Sequence, residues 1–176
     1  MRISGGDARG IKLKVPRGAR PASERVRLAI FSSIASHIPD ARVLDLYCGS
    51  GAYGLEALSR GASSGVFIDD DGAALAACRA NAAAIGVEDR VCVRKSPVEH
   101  YLVRTDDGPF DVVFIDPPYK ATPDLHHIAR LVAPGALVVL EARWRDEPPP
   151  ALDAMVVAGD RRYGDTRVLT FSLPEV

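Results

Sequence analysis

The feature that most limits what this chain can fold into is the passage from Val43 to Gly54. Val43-Leu44-Asp45-Leu46-Tyr47 is a short, mostly apolar run, and Gly49-Ser50-Gly51-Ala52-Tyr53-Gly54 follows with glycines at its first, third and sixth places. Such a run, ending in spaced glycines and continuing into Leu55 to Arg60, reads as strand, tight turn and helix. The rest of the chain repeats the alternation. Gly65 to Asp69, Arg90 to Arg94, Phe110 to Ile115 and Ala136 to Glu141 read as strands; Ala73 to Ile85, closed by Gly86, reads as an alanine-rich helix, and a further helix is expected from about Pro123 to Leu131. Two last strands, Ala154 to Ala158 and Arg167 to Leu173, have no helical crossover between them. The pattern predicts an α/β fold: a mostly parallel seven-stranded sheet covered on both faces, with an antiparallel C-terminal edge strand.

At 176 residues, 47% of them hydrophobic and 26% charged, the chain suits one globular domain that buries about 70% of its unfolded surface. No apolar run approaches the roughly 18 residues of a membrane span, and the polar, glycine-rich stretch from Met1 to Gly10 is unlike a signal peptide, so a cytoplasmic location is expected. Cys48, Cys78 and Cys92 share no C-x-x-C spacing, which predicts reduced, buried thiols and no structural zinc. Pro148, Pro149 and Pro150 read as a surface turn.

The overall charge of -1 conceals an asymmetry: up to Ile30, eight basic residues stand against Asp7 and Glu24 only, a local charge of +6. Gly10 to Val15 alternates Ile11, Leu13 and Val15 with Lys12 and Lys14, the period-two pattern of a small basic hairpin. A helix with its N-cap at Ser23 or Ala22 follows. Residues 1–21 are therefore expected as a basic β-hairpin extension and 22–176 as the main domain. A basic segment on an otherwise acidic chain suits a polyanion; the candidate contacts are Arg9, Lys12, Lys14, Arg17, Arg20 and Arg25. A solvated basic face is the plainer alternative.

Two motifs carry chemistry. The glycine loop opens a helix directly after a strand, and Asp69 lies twenty residues beyond Gly49 at the next strand end. Glycines there let a cofactor approach the backbone, and the carboxylate suits ribose hydroxyls. Dinucleotide and S-adenosylmethionine folds share this arrangement. Asp45, inside the strand, favours the second, because a carboxylate suits an ammonium group and opposes a diphosphate. The other motif is Asp116-Pro117-Pro118-Tyr119, at the end of the fourth strand. Two prolines remove amide donors and stiffen a loop that offers acceptors beside an aromatic face. Acceptors suit an exocyclic amine, with Tyr119 stacked on its ring and Asp116 stabilising charge that develops on nitrogen.

The segment VLDLYCGSGAYGLEALSRGA together with DPPY resembles Rossmann-fold, S-adenosylmethionine-dependent amino methyltransferases. The opening R-I-S-G-G-x-x-R-G-x-K-L, the stretch from Arg20 to Arg27 and Tyr163-Gly164-Asp165-Thr166-Arg167 are similar to the bacterial RsmD family, which methylates guanine N2 in 16S rRNA. The resemblance covers nearly the whole chain. It implies a class I methyltransferase fold with S-adenosylmethionine as cofactor, S-adenosylhomocysteine as product and no metal. The implied partner is 16S rRNA of the small ribosomal subunit or its assembly intermediate, met by a monomer. It further implies cofactor binding by Asp45, Gly49, Ser50, Gly51, Asp69, Asp70 and Ser96, and catalysis by Asp116, Pro117 and Tyr119. Ser96 stands where related enzymes usually carry an acid facing the adenine amine, and Leu28 replaces a usual acid.

Other candidates weigh less. Cys48 has no histidine near it in sequence, and His126 and His127 are adjacent and diverge on a helix. Trp144 between Arg143 and Arg145, with Arg161, Arg162 and Arg167, could extend an RNA-facing surface. Two other readings compete: an amino methyltransferase of DNA, disfavoured by the small size, and a non-catalytic RNA-binding ribosome assembly factor.

Overall fold

The computed structural model describes every residue except Pro21, Ala22, Lys120, Thr122, Pro123, Pro148, Pro150, Ala151, Asp153 and Val176. The expected boundary between residues 21 and 22, the alternative N-cap Ala22, the start of the helix expected from Pro123 and two prolines of the Pro148–Pro150 turn lie outside the described residues.

The strands are β1 (Arg42–Leu46), β2 (Ser64–Asp69), β3 (Val91–Lys95), β4 (Phe110–Ile115), β5 (Val132–Arg143), β6 (Val156–Tyr163) and β7 (Thr166–Ser172), and the helices are α1 (Glu24–Ser33), α2 (Ala52–Ser59), α3 (Gly72–Ala84) and α4 (Val98–Arg104). They build one seven-stranded sheet in the order β3-β2-β1-β4-β5-β7-β6. The first five strands pair in parallel, and β7 is antiparallel to both β5 and β6. The fold is thus the expected mostly parallel α/β sheet, with one refinement: β7 lies one place in from the edge that β6 forms. It can do so because Gly164 turns β6 back on β7 in a short hairpin, with Tyr163 opposite Thr166.

Alternation along the strands sends side chains to two cores. Val43, Phe67, Val112, Phe114 and Val139 pack with α1, α2 and α3, whereas Leu44, Ile68, Val113, Ile115 and Leu140 pack with α4 and the short helical turn Ile128–Leu131. That turn is four residues of 3-10 helix in place of the longer helix expected to Leu131. α4 is an element the alternation of apolar runs did not show, because its seven residues bury only Val98, Tyr101 and Leu102.

The N-terminal segment departs from a regular hairpin. Its pairing is a single antiparallel bridge, Arg2 with Lys12, backed by Ile3 bonding Ile11 O and Gly10 bonding Ile3 O around it. The donors that a hairpin ladder would use go elsewhere: Ser4 N and Gly5 N donate to the Glu56 carboxylate, Asp7 N to Ser59 O and Ala8 N to Ser59 Oγ. Ile3, Ala8 and Leu13 join the core beneath α1 and α2. The segment is therefore fastened to α2, leaving Lys12 and Lys14 exposed. Ser23 caps α1 as expected, accepting from Val26 N, and Leu28 is exposed.

Candidate active site

Strand order reverses between β1 and β4, so the loops leaving these neighbours diverge and open a crevice at the carboxyl edge. A cavity of about 390 Å³ occupies it, lined by Tyr47, Cys48, Gly49, Ser50, Ala52 and Tyr53 from the glycine loop, by Asp69, Asp70, Asp71 and Ala74 beyond β2, and by Asp116, Pro117, Pro118 and Tyr119. The N-terminal segment closes one side with Met1, Val15, Pro16, Ala19 and Arg20. Both motifs thus face a single space of the size small-ligand sites have.

The glycine loop is held by its neighbours. Gly51 is the N-cap of α2 with φ +86°, and a Cβ there would lie 2.8 Å from Cys78 Sγ, so only glycine fits without a shift. At Gly49, by contrast, a Cβ would meet nothing within 4 Å, which leaves the backbone open to a ligand. Asp69 accepts from Gly49 N at 2.9 Å through one oxygen and from Asp71 N at 3.0 Å through the other. Its carboxylate thereby fixes the loop as well as bordering the cavity. Asn81, buried on α3, bonds Lys14 on both backbone sides and donates to Ser50 O at 3.0 Å, tying the N-terminal segment to the glycine loop.

Two expected cofactor residues take other places. Asp45 is 2% exposed, does not line the cavity, and gives one oxygen to Gly54 N at 2.9 Å, so it caps α2 from behind. Burial lifts its pKa well above the usual carboxylate value. Ser96 also lies outside the lining; its N–H donates to Asp69 O and its hydroxyl to Pro97 O.

Asp116 lies at the cavity wall with its pKa raised to about 7, first by burial and then by the neighbouring Glu141, while Arg20 pulls it down. Tyr119 is 45% exposed, with the guanidinium carbons of Arg20 and Arg143 at 3.9 and 4.0 Å from its ring centroid. Arg20, expected only as an RNA contact, therefore reaches the Asp116-to-Tyr119 loop. Arg9, Lys12, Lys14, Arg17 and Arg25 are all exposed. Glu141, which accepts a hydrogen bond from the phenol of Tyr53 in the glycine loop, and Arg143, over the Tyr119 ring, border the site without belonging to either motif.

The remaining candidates sort by burial. Cys48 and Cys78 are buried together, and their contact and burial push the Cys48 thiol far up, away from the reactive thiolate. Cys92 is exposed, contrary to the expectation of three buried thiols, because β3 is the sheet edge. Trp144 is stacked by Arg162 and Arg167 rather than by its sequence neighbours. No group of three His, Cys, Asp or Glu side chains able to hold a metal occurs among the described residues, and none of their helices is long and apolar enough to cross a membrane.

Comparison with known proteins agrees with this architecture. Residues 1–172 match the family described as conserved hypothetical protein 95. Ribosomal RNA small subunit methyltransferase D of Haemophilus influenzae is 31% identical over 157 residues, 84% of this chain and 81% of that protein. The protein of the same name from Escherichia coli K12 is 38% identical over 122 residues, 68% of this chain and 61% of that one. Among solved structures, a hypothetical protein of Thermus thermophilus, TTHA0928, superposes with a TM-score of 0.84 at 33% identity, covering 100% of this chain and 99% of that one. With residues 1–172 matched by the family and both motifs lining one cavity, the chain belongs to this family, the RsmD family of class I methyltransferases.

Proposed function

We propose that this protein transfers a methyl group from S-adenosylmethionine to the exocyclic N2 amine of a guanine in 16S rRNA of the small ribosomal subunit. The observation that carries the reading is that one cavity unites the open glycine loop, the Asp69–Asp70 carboxylates and the Asp116-to-Tyr119 loop. The small-subunit rRNA methyltransferases among its relatives support the substrate.

The residues present fit the cofactor. Gly49 offers backbone without an intruding side chain, Ser50 lines the cavity beside it, and Asp69 and Asp70 offer acceptors to ribose hydroxyls. Asp45 acts behind the loop, holding the start of α2. When bound, S-adenosylmethionine supplies an electrophilic methyl group on a sulfonium. Asp116 and the backbone carbonyls of its proline-stiffened loop accept hydrogen bonds from the amine, turning the nitrogen lone pair toward that methyl. Tyr119 supplies the face on which the guanine stacks, taking the place of one of the two guanidinium groups there. Arg20, released from the ring, and the exposed Lys12, Lys14 and Arg17 then meet phosphates.

The test is transfer of labelled methyl to small subunits lacking the modification, naked 16S rRNA, large subunits and duplex DNA, with nucleoside analysis of the product. N2-methylguanine confined to small-subunit RNA is the expected result; label in DNA alone, or binding without transfer to any acceptor, overturns it. Asp116→Ala should abolish transfer, and Tyr119→Ala should lower turnover more than cofactor affinity.

A further inference from the structure

One acid at the carboxyl edge belongs to neither motif. Ile115 of β4 stands opposite Leu140 of β5 in parallel register, so Asp116 and Glu141, one step further along, are cross-strand neighbours. Both follow by two residues a side chain of the same core, Phe114 and Val139, and so share a sheet face. Asp116 lines the cavity and Glu141, 5% exposed, sits behind it. Tyr53 Oη donates to Glu141 Oε2, while Glu141 Oε1 is buried without a hydrogen-bond partner. An ionised oxygen in that position is expensive, and a buried carboxylate and the half-buried one beside it cannot both ionise cheaply.

We propose that Glu141 is a positioning residue that acts through Asp116: the two acids hold one proton between them at neutral pH, and the pair takes up the proton released when the amine is methylated. The inference rests on the methyl-transfer reading above. Burial and the charge of Glu141 lift Asp116 to about 7, burial lifts Glu141 as well, and the two titrate as a pair. The groups around them are Tyr53 from α2, Asp45 from β1 beyond Asp116, Arg27 of α1 beside Tyr53, and Arg20 from the N-terminal segment, which opposes the rise in both acids. From β7 the residue opposite Glu141 is the apolar Val168.

In the step itself the amine nitrogen forms its bond to the methyl carbon with its lone pair, the carbon–sulfur bond breaks and its electrons stay on sulfur. The nitrogen, now positive, passes one proton to the singly charged pair through Asp116. The pair becomes neutral and returns the proton to water through the cavity once product leaves. A lone, ordinary carboxylate would accept the proton less readily, because its conjugate acid is stronger.

Glu141→Gln keeps the size and an acceptor for Tyr53 but cannot ionise. Carbon-13 NMR of the side-chain carboxyls in the free protein should show the step near 7 moving down by about one unit or more, and the acid limb of kcat should move with it. Tyr53→Phe should move the titration upward, because the phenol favours ionised Glu141, and it serves if Glu141→Gln does not fold. An unmoved titration in either variant, or a kcat lowered equally at every pH, would show a structural role only and overturn the inference. The free-protein titration needs no substrate. An intact carboxyl pair in a protein that transfers no methyl group would therefore count against the reaction and not against the pair.

Discussion

Replacing Glu56 by alanine should loosen the wall of the cavity from a distance. Glu56 is fully buried on α2 and lies 3.5 Å from the Nε of the equally buried Arg27, with Arg60 at 3.8 Å. Its two oxygens also accept from Ser4 N at 3.0 and 3.1 Å, from the Ser4 hydroxyl and from Gly5 N. Removing one partner of a buried ion pair leaves the other charge uncompensated and costs about 3–5 kcal/mol. The released Ser4 and Gly5 are only half-buried and regain water, so their lost bonds add little. For a chain of this length, about 4 kcal/mol corresponds to a fall in Tm of roughly 8–16 °C. Urea and thermal unfolding read the loss directly. The double variant Arg27→Met with Glu56→Leu should recover much of it, since packed neutral side chains can replace a buried pair. Because Met1, Val15 and Pro16 line the cavity, cofactor affinity should fall in the single variant. A loss below about 1 kcal/mol for Glu56→Ala would refute the reasoning, because the pair would then be no more than a surface salt bridge in energy.

Gly51→Ala combines a left-handed backbone with a 2.8 Å approach to Cys78 Sγ, so it should cost about 1–3 kcal/mol and weaken S-adenosylmethionine binding in calorimetry; wild-type affinity would contradict the role given to the loop. Asp116→Asn should stabilise the protein above pH 7 and not below pH 4. A carboxyl raised to about 7 favours the folded state when protonated and withdraws that stability as pH rises through 7, by roughly 2–4 kcal/mol at alkaline pH. Equal Tm values for variant and wild type at pH 8 would contradict it. Neutralising Lys12, Lys14 and Arg17 together should reduce the salt dependence of RNA binding by a log–log slope of about 2, and an unchanged slope would move the docking face elsewhere.

The first five strands of this protein were legible because each carries a mostly apolar run bounded by turn residues, and the sheet type followed from the helices between them; β6 was legible only at its start, because the expected run Ala154 to Ala158 gives way to the polar Gly159 to Arg162 that the strand includes. The glycine loop and the Asp116-to-Tyr119 loop were equally legible, since their spacing relative to a strand end is a local property. Four things were decided only by tertiary structure. The N-terminal hairpin pattern gave way because Glu56 and Ser59, more than fifty residues away, claim its backbone donors. Asp45 inside β1 and Ser96 just past β3 look suited to a cofactor, but the direction of each side chain is fixed by how α2 and the turn after β3 pack. Arg20 and Arg143 meet on Tyr119 from segments more than a hundred residues apart. Glu141 left a trace, an acid ending the run Ala136 to Leu140 as Asp45 interrupts Val43 to Tyr47. What that acid does depends on the register of β4 against β5, and register is set by the packing of the whole sheet rather than by either strand alone.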